Sequence, residues 1–218
     1  MTYSSLRLSV LCGPLLAVCS LLVCNVAQAQ QIPANCDAEG AALAQARALL
    51  KSVPLVDGHN DLPWVIREEA GGDVRSYDLG QEKELDTDIP KLRAGLLGAQ
   101  FWSVWVPGEI PAIDYGRVQM EQIDIARQII NTYPDTFELA LTADDIVRIH
   151  KAGKIASLLG MEGGYALYNS LGAMRSYYEL GVRYMTLSHN VTLDWVDAAL
   201  GEQTHNGLTP FGRAMVRE

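Results

Sequence analysis

Short apolar runs alternate with amphipathic stretches along most of the chain, which predicts strands separated by helices. An alanine-rich helix is expected from about Ala38 to Lys51, with Asp37 as its N-cap, leading into a strand over Val53 to Asp57. A polar, glycine-containing loop is expected from about Glu68 to Asp88. Ile89 to Ala94 then reads as a short helix ended by Gly95, and Leu96 to Val106 as a buried strand containing Phe101, Trp102, Val104 and Trp105. From about Ile113 to Tyr133, Val118, Ile123, Ala126, Ile129 and Ile130 share one helical stripe. Thr142 caps a helix over Ala143 to Ala152 that Gly153 closes, and Ile155 to Met161 is a third apolar strand running into Glu162-Gly163-Gly164. Leu171 to Leu180 reads as a helix closed by Gly181, and Val182 to Leu187 as a fourth strand ending at Ser188-His189-Asn190. Thr209-Pro210 opens a last helix. Phe211 to Glu218 holds neither a glycine stop nor a following proline, so the sequence reads as cut inside an element.

Strands alternating with helices imply an α/β fold with a parallel sheet. The polar residues of interest recur at one place in the repeating unit: His59 and Asp61 after the first strand, Glu162 after the third, His189 after the fourth. In a β/α barrel the C-terminal ends of the strands form the active-site face, where residues distant in sequence meet. His59 and Asp61 are two positions apart, so on extended chain both point the same way and can converge on one cation. Two glycines after Glu162 let backbone approach a ligand, and a carboxylate there can bridge two cations.

Plainer readings stand beside these. Asp57-Gly58 and Asn60-Asp61 are turn-forming pairs, and Glu162 can be an ordinary loop carboxylate. His189 can be a rim histidine or a polar group aimed at a substrate. His150, near a helix C-terminus, complements the dipole there, and His205 belongs to a polar loop. Trp102 and Trp105 read as core or pocket wall.

The leader changes the picture further. Val10 to Val26 is mostly apolar, Arg7 is the only charged residue before it, and Ala27-Gln28-Ala29 is a small-x-small cleavage pattern. Residues 1–29 are therefore expected to be a signal peptide removed on export to the periplasm or outside, leaving residues 30–218. The apolar run is shorter than a spanning helix needs and is interrupted by Pro14, Ser20 and Asn25, which argues against an uncleaved membrane anchor; association of the mature protein with a membrane is left open. Cleavage removes Cys12, Cys19 and Cys24, which excludes a disulfide framework and leaves Cys36. That thiol is either inert or a bridge in a homodimer. The formal net charge of −9 argues against non-specific binding of nucleic acid or anionic lipid.

Five ordered stretches resemble the membrane dipeptidase (renal dipeptidase) family of zinc peptidases. They are Asp57-Gly58-His59-Asn60-Asp61-Leu62-Pro63-Trp64, Gly98-Ala99-Gln100-Phe101-Trp102-Ser103-Val104, Gly160-Met161-Glu162-Gly163-Gly164, Gly181 through His189, and Gly207-Leu208-Thr209-Pro210-Phe211-Gly212. The resemblance implies a (β/α)8 TIM-type barrel, here only about its first four β/α units, and hydrolysis of dipeptides, including those with a C-terminal D-residue, by two zinc ions. It assigns His59 and Asp61 to the first zinc, Glu162 to both, and His189 to the substrate and the oxyanion. The family's two further zinc histidines, its substrate-binding arginine and a late catalytic aspartate have no counterpart in these residues. The second zinc site is thus incomplete, and the chain is expected to be a truncated, inactive portion of a dipeptidase. The alternative is a non-catalytic protein that binds a peptide or metal, or docks onto another subunit through an open sheet edge.

Overall fold

Most helices and strands are those that the caps and apolar runs dictate, and the loop expected from about Glu68 to Asp88 holds a further short helix, Val74–Tyr77. The computed structural model describes residues 40–218, so the leader, Cys36 and the expected start of the first helix at Asp37 lie outside the described residues. In chain order the elements are α1 (Ala41–Ser52), β1 (Leu55–Asn60), α2 (Leu62–Ala70), α3 (Val74–Tyr77), α4 (Ile89–Ala94), β2 (Leu97–Trp105), α5 (Tyr115–Thr132), β3 (Phe137–Leu139), α6 (Ala143–Lys151), β4 (Ile155–Glu162), α7 (Leu171–Glu179), β5 (Val182–Met185) and α8 (Pro210–Arg217). Ala44–Glu218 form one compact unit.

The strands make one five-stranded parallel sheet, ordered β1-β2-β4-β3, with β5 also on β4. Because β2 pairs β4 from Ala156 to Glu162, β3 and β5 must share the opposite edge of β4. β3 takes its first turn of ladder at Ile155–Ser157, and β5 takes Leu159–Met161. This is the parallel sheet that the alternation implied, and the partial barrel that the family resemblance implied.

The departures have local causes. β1 begins later than Val53 and runs past Asp57 to Asn60, because Asp57 and Asn60 keep pairing with Gln100 and Trp102 of β2 across a register shift. That extension carries His59 on the strand itself. Leu62–Ala70 is a helix, where no helix was expected. Pro63 suits its first turn, and Leu62 and Ile66, one turn apart, are both buried against the sheet; burial of Ile66 alone contributes about 2 kcal/mol. β3 was also unexpected: its three residues gain definition from Ile155 to Ser157 beside them. The strands expected as third and fourth are therefore β4 and β5.

The sheet has two unlike faces. Trp102 and Val104 of β2 and Leu159 and Met161 of β4 turn outward into a core with Leu62 and Ile66 of α2 and Ile123, Ala126 and Ile129 of α5. Alternate positions, Phe101, Ser103, Gly160 and Glu162, belong to the other face. Near its start that face is closed by a small cluster of Ala99, Ala156, Leu158 and Ile149 of α6. α6 itself starts in a full capping box, Thr142 and Asp145 each bonding the other's backbone N–H. The residues with chemistry to offer, His59, Asp61 and Glu162, gather where the strands end.

Candidate metal centre

Three side chains meet at the C-terminal ends of β1 and β4. His59, Asp61 and Glu162 each place one donor atom within 4.8 Å of the others. His59 Nε2 lies 3.0 Å from Asp61 Oδ1 and 3.5 Å from Glu162 Oε2. An imidazole and two carboxylates at this spacing are a donor set suited to zinc, with room for a fourth, non-protein position. The residues present fit one such ion.

The local chain explains why these groups are free to converge. Asp61 occupies the N-cap of α2, yet its side chain makes no capping bond. Asn60 does that work, accepting from the Leu62 N–H at 3.0 Å while its amide donates to Thr87 Oγ1 at 3.0 Å and Gln100 Oε1 at 3.3 Å. Glu162 is opposite Trp105 in the β2–β4 ladder and is only 15% exposed, and the Ser103 hydroxyl donates to its Oε2 at 3.1 Å. Gly163 follows with φ +83, a backbone value that favours glycine, as the chain turns away from the carboxylate.

His189 lies beyond β5 with its Nε2 3.2 Å from Glu162 Oε1. The two oxygens of Glu162 thus face different partners, Oε2 toward His59 and Ser103 and Oε1 toward His189. The His189 ring meets Trp105 edge-on at 6.0 Å, and Trp105 in turn meets Trp64 at 4.7 Å, so two indoles wall one side of the centre. Trp102 instead is wholly buried against Phe137. His205 bonds the Leu193 carbonyl at 2.8 Å, and His150 sits in the last turn of α6; the donor cluster includes neither.

Two contributors escaped the sequence reading. Ser103 is a polar residue between Trp102 and Val104 in a buried strand, an interruption that could have marked it. Tyr184 of β5 reaches across the sheet to His59, and only its place on a strand beside the centre hinted at this. Burial, followed by the charges of Glu162, Asp61 and Asp57, pushes its phenol above the ordinary value, so it stays protonated.

A parallel β/α sheet that gathers an imidazole and two carboxylates at its carboxyl edge belongs to the class of β/α-barrel metal-site proteins. Residues 43–218 match the family described as Membrane dipeptidase (Peptidase family M19), and the chain belongs to that family. It is 41% identical over 179 residues to Dipeptidase 3 of Rattus norvegicus, covering 80% of this chain and 36% of that protein. It is 36% identical over 178 residues to Dipeptidase ataJ of Aspergillus terreus, covering 78% and 43%. The chain thus spans less than half the length of these relatives. Among solved structures it resembles the probable dipeptidase PvdM from Pseudomonas aeruginosa, with TM-score 0.70 and 19% identity over 80% of this chain and 46% of that one. It also resembles a metallo peptidase from Rhodobacter sphaeroides liganded with a phosphinate mimic of the dipeptide L-Ala-D-Ala, with TM-score 0.64 and 18% identity over 76% and 55%. At those identities the likeness shows the fold. Among the described residues no helix is long and apolar enough to cross a membrane.

Proposed function

We propose that the protein in its full length is an exported, zinc-dependent dipeptidase, with His59, Asp61 and Glu162 as metal ligands and His189 as the residue that meets the substrate. The observation that carries the reading is the convergence of those three donor atoms within 4.8 Å beside His189. Zinc held there supplies Lewis acidity and a water ionised near neutral pH. The chain's own residues do the rest. Asp61 and Glu162 balance the charge of a dication, and Ser103 holds Glu162 in place through Oε2. His189 donates from its ring N–H to the carbonyl oxygen of the scissile bond, where negative charge appears only in the transition state. Trp105 and Trp64 keep water from that side, which strengthens the interaction.

Glu162 is suited to bridge two ions because its oxygens face opposite sides of the centre. A second ion finds no three-residue donor cluster of its own among the described residues. The 218-residue chain alone is therefore expected to hold one zinc and to turn over no dipeptide. A substrate class of dipeptides is supported by family membership, and tolerance of a D-residue at the C-terminal position is in keeping with the L-Ala-D-Ala mimic bound by the Rhodobacter sphaeroides neighbour. The leader's Ala27-Gln28-Ala29 pattern supports export.

Two substitutions in the full-length protein test the assignment. Glu162→Gln should lose bound zinc and hydrolysis together, whereas His189→Ala should keep its zinc and lose turnover by about 10²–10³-fold, the usual cost of removing one oxyanion donor. Zinc analysis and a dipeptide hydrolysis assay on both variants decide it. Equal loss of zinc in the two would mean that the bridge and substrate roles are misassigned.

A further inference from the structure

Tyr184 starts on β5 and ends at β1, crossing the inner face of the sheet. Its ring lies over Gly160 of β4 and beside Phe101 of β2, with centroids 5.1 Å apart, and its hydroxyl reaches Gly58 O at 2.9 Å and His59 Nδ1 at 3.4 Å. Gly160 is what lets it pass: a Cβ there would stand 2.2 Å from the ring. Glycine is required at this point by close approach and not by backbone conformation.

The hydrogen count of that hydroxyl has a consequence for His59. A phenol carries one proton and a carbonyl can only accept, so the Tyr184 proton goes to Gly58 O. Toward Nδ1 the hydroxyl oxygen can then only accept. The contact is therefore made with a proton on Nδ1, which leaves Nε2 as the ring atom turned toward the carboxylates. Nε2 stands 3.0 Å from Asp61 Oδ1 and 3.5 Å from Glu162 Oε2, the side on which a cation would be held among the three.

We infer that Tyr184 is a positioning residue for the metal centre: through its hydroxyl it holds the Nδ1–H tautomer and the ring orientation of His59, so that Nε2 is the ligand atom, and Gly160 is the gap that admits it. This rests on the reading of His59 as a zinc ligand. The partner of a ligating histidine's second nitrogen tunes affinity by about 10–100-fold in such sites. Glu162 is held by packing and Ser103, so the effect is expected to fall on His59 alone.

The test is zinc titration of the full-length protein together with nitrogen-15 NMR of its histidine rings. In the zinc-loaded wild type, His59 should show a protonated Nδ1 whose proton exchanges slowly with solvent. Tyr184→Phe, which keeps the ring and removes the hydroxyl, should weaken zinc binding about 10–100-fold and speed that exchange. Gly160→Ala, which keeps the hydroxyl but displaces the ring, should do the same. His59→Ala in the same titration separates the two levels of argument. If it binds zinc as the wild type does, the metal-site reading fails. If it loses zinc while Tyr184→Phe, folded, matches the wild type in affinity and in Nδ1 proton exchange, the positioning role is overturned and the ligand assignment stands.

Discussion

β4 and β1 lie two places apart in one sheet and each brings a carboxylate to the same centre, but they are held there by different forces. β4 is buried along its length from Ile155 to Met161 and paired on both edges. Its Glu162 is fixed by the strand that carries it. β1 pairs only with β2 among the described residues, and Leu55, Val56, Gly58 and His59 are all exposed. Its donors are 42% and 57% exposed and depend on polar contacts, from Asn60 to Leu62, Thr87 and Gln100 and from Tyr184 to Gly58 and His59. The same fold therefore secures Glu162 by packing together with the Ser103 hydroxyl, and the other two ligands chiefly by hydrogen bonds.

The comparison is broken most directly in β4. Leu159→Ala should destabilise the protein by about 2–5 kcal/mol, since a fully buried leucine leaves a cavity that the two flanking strands cannot close. Denaturant unfolding would measure this. The matched change on β1, Val56→Ala, removes a side chain that is 45% exposed and should stay within about 0.5 kcal/mol of the wild type. A similar cost at both positions would erase the distinction between the strands.

Asn60→Ala should have an intermediate effect of about 1–3 kcal/mol, because it takes from the buried Gln100 Oε1 and from the first N–H of α2 their Asn60 partner. It should also lower zinc affinity, as Asn60 stands between the two ligands of β1. Unfolding and zinc titration on one preparation would separate the two losses. Full zinc affinity in that variant would mean that β1 holds its donors without help.

The smallest effect concerns the loop after His189. Asp197 accepts backbone N–H bonds from Gly207, Thr204 and His205, and these hold its carboxyl at about 2, below the ordinary 3.8. A depressed folded value contributes stability that is complete above about pH 4 and is lost as pH falls toward 2. Asp197→Asn should flatten the acid limb of a stability-against-pH curve in that window. An unchanged acid limb would show that the loop's bonds do not distinguish the charged form.

Much of this layout could be read from the sequence where one periodicity and one cap agreed. Thr142 with Gly153, Thr209 with Pro210, and the apolar run of β4 each placed an element correctly, because burial and capping act locally. α2 was not legible: around Pro63 its apolar stripe amounts to Leu62, Val65 and Ile66 before Arg67-Glu68-Glu69 makes it look like loop. β3 is defined by a neighbour remote in sequence. At the centre, His59, Asp61, Glu162 and His189 stood out because strand ends are where a parallel sheet puts its chemistry. Ser103, Gly160 and Tyr184 did not, since a strand serine, glycine or tyrosine acquires its role only when β1, β2, β4 and β5 curve toward one another.

The central claim is that His59, Asp61 and Glu162 hold one ion between them. Anomalous diffraction at the zinc edge, on crystals of the zinc-loaded full-length protein, tests it most directly. The account predicts a peak about 2.0–2.2 Å from His59 Nε2 and from one oxygen each of Asp61 and Glu162. A zinc peak bound through His59 Nδ1, or located away from these three side chains, would contradict it.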